Sequence, residues 1–237
     1  MPSTTARAQS RLILALDTSS SLGSVALARG ETILKARAFE ADHGHSQRLL
    51  PAIDAVFGEA ELKVSEVDLF AAVIGPGSFT GLRVSLACVR GLAGPRPCFG
   101  ALATDVAAWA GRGSTNVLAI ADLFHGEVFG SVYDSQGALI SGRESGDLAS
   151  VMATLKGFLT GSLAATGSGT RRHRTQIEAT CPGVVFLDLP EGLAPPLAIL
   201  ASAQASLATT CRAQDLLPFY LRDPLTRGLL NSKPLET

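Results

Sequence analysis

The sequence predicts an α/β protein of two lobes, the second a reduced copy of the first, and three observations support this fold class. The chain opens with three successive strands joined by short turns, at Leu12–Asp17, Ser24–Arg29 and Thr32–Phe39. Helices and strands then alternate as far as Gly111, and from Asn116 the pattern of paired strands begins again. An antiparallel meander followed by alternation is the order of a ribonuclease-H-like lobe, because a Rossmann unit alternates from its first strand.

The rest of the first lobe is predicted from hydrophobic spacing. Its elements are helix His45–Phe57, strand Val67–Ile74, helix Thr80–Ala93, strand Cys98–Leu102 and a helix capped by Thr104. Gly58 is predicted to close the first of these helices in a left-handed conformation, and Gly94-Pro95 to end the second.

The second lobe is predicted to repeat the first in part. Its elements are strands Val117–Asp122, Glu127–Asp134 and Ala138–Ser141, helix Asp147–Leu159, strands Leu163–Thr166 and Val184–Leu187, and helix Pro196–Thr210. His125-Gly126 is predicted to form the turn of the opening hairpin. The sequence predicts four segments. They are a flexible segment 1–11, a first lobe 12–113, a reduced second lobe 114–223 and a tail 224–237.

Composition sets limits on function. With 237 residues, of which 46% are hydrophobic and 17% charged, the chain can bury a sizeable core. Its formal charge of -1 argues against broad electrostatic binding of nucleic acid, and the basic run Arg171–Arg174 is interpreted as a solvated helix face. The four cysteines form no C-x-x-C pair, which indicates buried thiols of a reducing compartment. The polar N-terminus predicts no signal peptide or membrane span, so a cytoplasmic location is expected.

A glycine-rich segment, Val73–Arg83, joins a predicted buried strand to a helix. Glycine allows close approach of another backbone or ligand, and the first free N–H groups of a helix attract anions. The segment is therefore either a phosphate cradle or a docking element. Its glycine spacing matches neither the Walker pattern nor the dinucleotide pattern, because three residues separate Gly77 from Gly81.

Three short segments suggest a nucleotide-binding ancestry. Asp17-Thr18-Ser19-Ser20 follows the first strand, Asp122 ends the matching strand of the second lobe, and Gly167-Ser168-Gly169 follows a later strand. Together they resemble the phosphate and adenosine elements of the actin, hexokinase and Hsp70 superfamily, whose members bind ATP between two lobes. The resemblance implies an actin-like ATPase fold and nucleotide-binding residues at Asp17, Ser19, Asp122, Gly167 and Gly169.

Longer motifs resemble one family more closely, the TsaB (YeaZ) family. The resemblance extends from Leu12 to about Asp223 and is carried by Asp17-Thr18-Ser19, His45–Pro51, Gly75–Arg83 and Pro218–Arg222. It implies a shortened paralogue of TsaD, the subunit that moves a threonylcarbamoyl group onto the tRNA adenosine beside the anticodon. The chain would then be a non-catalytic partner subunit of that complex.

Two departures from related patterns favour a non-catalytic role. TsaD carries metal-binding histidines spaced H-x-x-x-H on its first helix, whereas here Leu49 lies four residues after His45 and Ala41 four before it. His43 and His45 have no evident third ligand, so no metal site is expected. In the second lobe the family pattern has arginine and tyrosine where this chain has Leu123 and Phe129. Leu123 can offer a phosphate only its backbone.

The resemblance implies that the two first-lobe helices contact a TsaD-like subunit, or a second copy of the chain when that subunit is absent. A TsaE-like ATPase is a further expected partner, and tRNA is expected to bind mainly through the complex. The glycine segment is interpreted chiefly as a rigid start for the second helix, with Ser78 or Thr80 as its cap. The predicted partner-binding residues are His45, Arg48, Leu49, Ala52, Ser78, Thr80, Arg83 and Ala87.

The competing function is an autonomous ATPase or small-molecule kinase of the actin-like superfamily, using Asp17 and Asp122 with magnesium. No further acid–base pair is evident to support it, and no catalytic residue is assigned. ATP or ADP with magnesium at a subunit boundary stays open as a cofactor. A metalloprotease, suggested by an older glycoprotease label, would need at least three metal ligands and an activated water.

Overall fold

A five-stranded mixed sheet forms the first lobe of the computed structural model, which describes residues 11–40, 44–113, 115–123, 126–206 and 208–221. Its strands are β1 Leu12–Asp17, β2 Leu22–Arg29, β3 Thr32–Glu40, β4 Leu69–Gly75 and β5 Cys98–Leu102. They lie in the order β3-β2-β1-β4-β5, with β1, β2 and β3 antiparallel and β4 and β5 parallel to β1. The opening meander predicted from sequence is confirmed.

The second sheet repeats this topology. Its strands are β6 Asn116–Asp122, β7 Glu127–Tyr133, β8 Glu144–Asp147, β9 Leu163–Thr166 and β10 Val185–Leu187. Their order is β10-β9-β6-β7-β8, so each strand occupies the place of the corresponding strand in the first sheet. This duplication confirms the predicted two-lobed, actin-like fold with a smaller second lobe.

Six helices occur in the described residues, with three short 3-10 turns at Val64–Glu66, Lys156–Phe158 and Ala213–Asp215. The helices are α1 His45–Ala60, α2 Phe79–Ala93, α3 Ala103–Gly111, α4 Leu148–Leu155, α5 Ser168–Thr180 and α6 Ala194–Gln204.

Several local predictions were wrong. Helix α1 continues past Gly58 and ends at Glu61, whose φ of 55° places it in the left-handed region. Thr104 does not cap α3, because it is the second residue inside the helix and the N-cap position is Leu102. The Thr104 hydroxyl lies 3.1 Å from the Tyr133 hydroxyl instead. The segment 138–141 forms a single bridge between Leu139 and Tyr133, and the third strand of the second sheet is β8.

Helix α6, which was predicted as the closing helix of the second lobe, packs on β1, β2 and β4 of the first sheet. The predicted segments 1–11 and 224–237 lie outside the described residues apart from Arg11, as do His43 and His125.

The layers are held by three buried clusters. The outer face of the first sheet packs on α1 and α2, and the outer face of the second packs on α4 and α5. Between the sheets lie α3 and α6, in a cluster rich in alanine that both lobes share. On β1, for example, Leu14 and Leu16 face the outer cluster and Ala15 faces the inner one. Both faces of β1 are therefore buried, which explains its continuous apolar sequence.

None of the helices in the described part of the chain combines the length and apolar character that crossing a bilayer demands. The four cysteines are free thiols, and burial raises the pKa of Cys88 and of Cys98 to about 11. Both thiols are therefore protonated at neutral pH.

The glycine segment between β4 and α2 packs against the turn that follows β1. The Ser78 N–H donates to the Ser19 carbonyl at 2.7 Å, and the Thr18 hydroxyl donates to the Gly81 carbonyl at 2.7 Å. The Ser78 hydroxyl caps α2 by accepting from the Gly81 N–H at 3.1 Å. Of the two predicted caps, Ser78 is therefore the residue that acts.

The glycines of this segment are required by close contact with the chain itself. A Cβ at Gly77 would overlap the Ser19 carbonyl oxygen, and one at Gly81 would overlap the Thr18 carbonyl oxygen. Both overlaps are with backbone atoms, which cannot turn away as a flexible side chain can. The segment thus fixes the start of α2 against the end of β1.

We expect Gly81→Ala to lower the free energy of unfolding by about 1–3 kcal/mol, because an added methyl group in a packed contact forces a backbone shift. Gly91→Ala is the matched control, since Gly91 lies in the same helix with open space around its Cβ position. That control should gain about 0.5–1 kcal/mol. Urea unfolding followed by circular dichroism measures both, and equal stability of the two variants would contradict the proposed contact.

Candidate functional site

Helices α1 and α2 present one face to the first sheet and another to solvent. On α1, two predicted partner contacts are wrong, because the side chains of Leu49 (1% exposed) and Ala52 (8%) are buried in the lobe's own core. The adjacent Leu50 is 54% exposed instead. A leucine side chain this exposed on a helix is a candidate contact for another protein when other apolar residues lie near it.

The sequence contained the signal that separates Leu49 from Leu50. The other buried positions of α1 are Ala52, Ile53, Val56 and Phe57. Leu49 lies three and four residues before Ala52 and Ile53, near the middle of this stripe. Leu50 lies about 100° farther round the helix, at the edge of the stripe.

On α2 the exposed predicted residues share one face. Thr80, Arg83 and Ala87 are all exposed and are spaced by three and four residues, and the exposed Gly91 continues the row. Phe79, at the first turn of the helix, is 38% exposed. Small side chains along the row would allow another helix to approach closely, because the distance between helix axes depends on the side chains at the contact.

The other two predicted partner-binding residues on α1 differ in exposure. Arg48 is exposed, whereas His45 is half-buried at the first residue of the helix. The His45 Nε2 lies 2.7 Å from the Ser20 carbonyl oxygen, so the ring donates a hydrogen bond to the turn after β1. His45 therefore ties the start of α1 to the same turn that holds the start of α2.

A small cavity lies between the lobes beside this turn. Its volume is about 140 Å³, and Asp17, Gly167, Ser168, Arg171 and Gly192 are among its lining residues. Gly167 adopts a φ of 103° just before the first residue of α5, so the N-terminus of that helix meets the cavity. A helix N-terminus beside an arginine attracts an anion.

Asp17 is fully buried and only partly hydrogen-bonded. Its Oδ1 accepts a hydrogen bond from the Ser19 N–H at 2.8 Å, whereas its Oδ2 has no hydrogen-bond partner. Burial raises the pKa of Asp17 more than the hydrogen bonds from Ser19 and the nearby His45 lower it. A buried carboxylate with a free oxygen can hold a cation or a proton.

The other predicted nucleotide-binding residues lie around the cavity but do not line it. Ser19 is buried, and its carbonyl is used by the glycine segment. Asp122 forms an ion pair with Arg172 at 3.1 Å. Gly169 packs against β6, where a Cβ would lie 2.6 Å from the Ile120 Cγ2. The structure thus brings Asp17 and Gly167 to one cavity and directs the other three elsewhere.

Leu123 and Phe129, which replace the arginine and tyrosine of the family pattern, both make apolar contacts. Leu123 packs against the inner core, and its N–H donates to the Glu127 carbonyl at 3.0 Å. Phe129 is buried and stacks edge-on against Phe219, with ring centroids 6.2 Å apart.

A bound nucleotide is only partly compatible with this site. The free oxygen of Asp17 and the α5 N-terminus have the chemistry that a metal-bridged phosphate needs. A volume of about 140 Å³, however, is small beside the roughly 300–1,000 Å³ of sites that enclose a drug-sized ligand. Within the described residues, no group of three or more His, Cys, Asp or Glu side chains is placed to hold a metal ion.

Comparison with protein families gives a match over helices α1 and α2. Residues 39–98, which contain α1 and α2, match the family model described as TsaD, tRNA N6-adenosine threonylcarbamoyltransferase.

Curated relatives match the chain over part of their length. The TsaB protein of Escherichia coli is 33% identical over 126 residues, which cover 51% of this chain and 54% of that protein. The TsaB protein of Haemophilus influenzae is 45% identical over 87 residues, 36% of each chain. Both relatives are described as tRNA threonylcarbamoyladenosine biosynthesis proteins. The chain thus matches about half or less of the length of these curated relatives.

A solved structure matches nearly the whole fold. A Pseudomonas aeruginosa protein, described as similar to the peptidase YeaZ, superimposes with a TM-score of 0.72 at 27% identity. The superposition covers 90% of this chain and 100% of that one. In fold, in sequence and over helices α1 and α2, the chain is thus similar to proteins of the TsaB/YeaZ family.

Proposed function

We propose that this chain takes part in tRNA threonylcarbamoyladenosine biosynthesis as a non-catalytic partner subunit that activates a TsaD-like catalytic subunit. The observation that carries the proposal is the exposed face of α1 and α2, which combines Leu50 and Phe79 with the small side chains of α2. The two helices contact each other, and exposed apolar side chains on such a helix pair are candidate contacts for a protein partner.

Similarity between this chain and TsaD also supports this face of α1 and α2 as the binding surface. The segment that matches the TsaD model includes both docking helices, so the proposed partner would carry a related helix pair. Related surfaces can pack about a local twofold axis, as identical ones do in a homodimer. The same surface would serve a second copy of this chain when the catalytic subunit is absent.

In this proposal the remaining partners act through the complex. The formal charge of -1 gives this chain little electrostatic affinity for RNA, so tRNA would be held mainly by the catalytic subunit. A TsaE-like ATPase would join the same assembly in the cytoplasm.

Changes on the exposed face of α1 and α2, called here the docking face, should weaken partner binding. We expect Leu50→Asp and Ala87→Arg each to weaken affinity for the TsaD-like subunit by at least about thirtyfold, the loss typical of a central interface residue. Isothermal titration with the purified partner measures the affinity. Val185→Asp is the matched control, because Val185 is 60% exposed but lies on the edge strand β10.

The control should bind as the wild type does. If the wild-type chain and the partner elute separately in size-exclusion chromatography at micromolar concentration, the proposed function is wrong. If the Val185 variant loses as much affinity as the Leu50 variant, the partner binds elsewhere.

Nucleotide binding is the second candidate function, and the free Oδ2 of the buried Asp17 is the observation that favours it. In this candidate Asp17 would hold a magnesium-bridged phosphate and the α5 N-terminus would face the phosphate oxygens. The magnesium ion would supply charge neutralisation. The lobes would have to move apart to admit a whole nucleotide.

Replacement of Asp17 should show how much its burial as a carboxylate lowers the free energy of unfolding. Because burial raises the pKa of this carboxyl above 3.8, the folded state holds the proton more tightly than the unfolded state. Its contribution to stability is therefore fully present below about pH 3.8 and is lost as the pH rises through the folded-state pKa. We expect Asp17→Asn to gain about 1–3 kcal/mol of unfolding free energy at pH 7 and nothing near pH 3.5. Urea unfolding at both pH values measures the difference.

Magnesium and ATP provide the matching ligand test. If nucleotide binds at Asp17, they should raise the melting temperature of the wild type but not that of Asp17→Asn. The absence of both a thermal shift and calorimetric heat would remove this second candidate.

A further inference from the structure

A C-terminal segment, Cys211–Leu221, runs along α2 and is called here the strap. At one end the backbone of Cys211 exchanges two hydrogen bonds with Cys98 of β5, both 2.9 Å. Farther on, the Arg90 side chain of α2 donates to the carbonyls of Ala213 at 3.3 Å and Leu216 at 3.0 Å. The strap therefore follows α2 from its last turns toward its first.

At the other end the strap reaches the glycine segment. The Phe219 N–H donates to the Ile74 carbonyl at 2.7 Å, and a Cβ on Gly75 would lie 2.5 Å from the Phe219 carbonyl oxygen. The Phe219 ring stacks on Phe129 of β7, and Leu221 packs against the core that the two lobes share. Phe219 thus fixes the strap to both lobes immediately before Tyr220.

Tyr220 and Phe79 together restrain the side chain of Arg83. The Arg83 Nε donates to the Tyr220 hydroxyl at 3.1 Å. Its guanidinium carbon lies 3.8 Å from the centroid of the Phe79 ring, and the Phe79 and Tyr220 centroids are 5.1 Å apart. A cation held over a ring and hydrogen-bonded at Nε has lost much of the freedom of an exposed arginine.

This restrained guanidinium has no charged partner among the residues that the structure describes. Arg83 is exposed on the row that includes Thr80 and Ala87, and it forms no ion pair with any residue that the structure describes. Its Nε is occupied by Tyr220, which leaves the two terminal nitrogens to donate outward. A guanidinium fixed in advance binds an anion at a lower entropic cost than a mobile one.

We propose that Arg83 binds a carboxylate of the partner protein and that Tyr220 is the positioning residue that orients it. This inference rests on the proposed docking function and adds to it the chemistry of one contact. A carboxylate is the matching group, because guanidinium and carboxylate form two parallel hydrogen bonds. A protein partner is favoured over tRNA because Arg83 lies among apolar and small side chains and because the chain as a whole is slightly negative.

The experiment compares Arg83→Gln, Tyr220→Phe and the double variant by titration into the TsaD-like subunit. We expect Arg83→Gln to lose at least about tenfold in affinity. Tyr220→Phe keeps the ring beside Phe79 and removes the hydroxyl, so it should lose about three- to tenfold. The double variant should bind within about twofold of Arg83→Gln, because Tyr220 acts through Arg83.

A measurement on the chain alone tests positioning without the partner. Nuclear magnetic resonance of the Arg83 Nε–H should show slow solvent exchange in the wild type and faster exchange in Tyr220→Phe. Equal exchange in both would overturn the positioning role. Arg90, which donates to the strap backbone, provides a reference Nε–H that should not change.

The remaining outcomes separate this inference from the proposed function. If the wild type binds the partner and Arg83→Gln binds equally well, the inference alone is overturned. If Arg83→Gln weakens tRNA binding by the assembled complex but leaves partner affinity intact, Arg83 contacts RNA phosphate and the inference is wrong. Failure of the wild type to bind would overturn both proposals.

Discussion

The contact of Gly77 and Gly81 with the backbone of Thr18 and Ser19 is the constraint on which both candidate surfaces depend. It joins two segments. One is the turn after β1, which carries Asp17 to the boundary between the lobes, and the other is the first turn of α2, which carries the proposed docking face. A side chain at either glycine would separate these two backbones, and no rotamer change could relieve the overlap. The hydrogen bond from His45 to Ser20 attaches the start of α1 to the same turn. Helices α1 and α2 are therefore both attached at their first residues to the turn after β1.

The inner core explains why the cleft is narrow. Alanine predominates where α3 and α6 lie between the two sheets, whereas the outer faces are filled mainly by larger aliphatic side chains. Small side chains allow backbones to approach closely, and the close approach is secured by the Tyr133 hydroxyl, which donates to Asp105 at 2.5 Å. Lobes held together in this way leave a cavity of about 140 Å³ at their boundary. The fold is two-lobed and actin-like, and the narrow boundary between its lobes leaves little room for a ligand.

Two charged groups stand out because their environments are unusual. Asp17 has a buried oxygen without a hydrogen bond, which costs stability whenever the carboxyl is ionised. Arg83 is exposed yet restrained by two aromatic residues and lacks an opposing charge among the described residues. Neither arrangement is explained by the stability of the isolated chain. The glycine segment joins the turn that carries Asp17 to the helix that carries Arg83.

The sequence by itself determined most of the fold. The bounds of β1, β5 and β9 were predicted as found, because each is an apolar run buried on both faces and limited by polar or turn residues. It also indicated the resemblance to the TsaB/YeaZ family, because the glycine segment and the helix before it carry specific motifs. The strand β8, with the sequence Glu-Ser-Gly-Asp, could not be predicted because it has no apolar pattern and is defined only by pairing with β7.

Only the tertiary structure decided the site. The capping role of Ser78 over Thr80, the position of α6 on the first sheet and the neighbours of Arg83 all depend on residues distant in the chain. Tyr220 lies 137 positions from Arg83, and no local spacing relates the two. Local sequence fixes which residues form helices and strands, because propensity and periodicity act over short distances. Which side chains meet at a surface is set by packing between elements, and that information is spread over the whole chain.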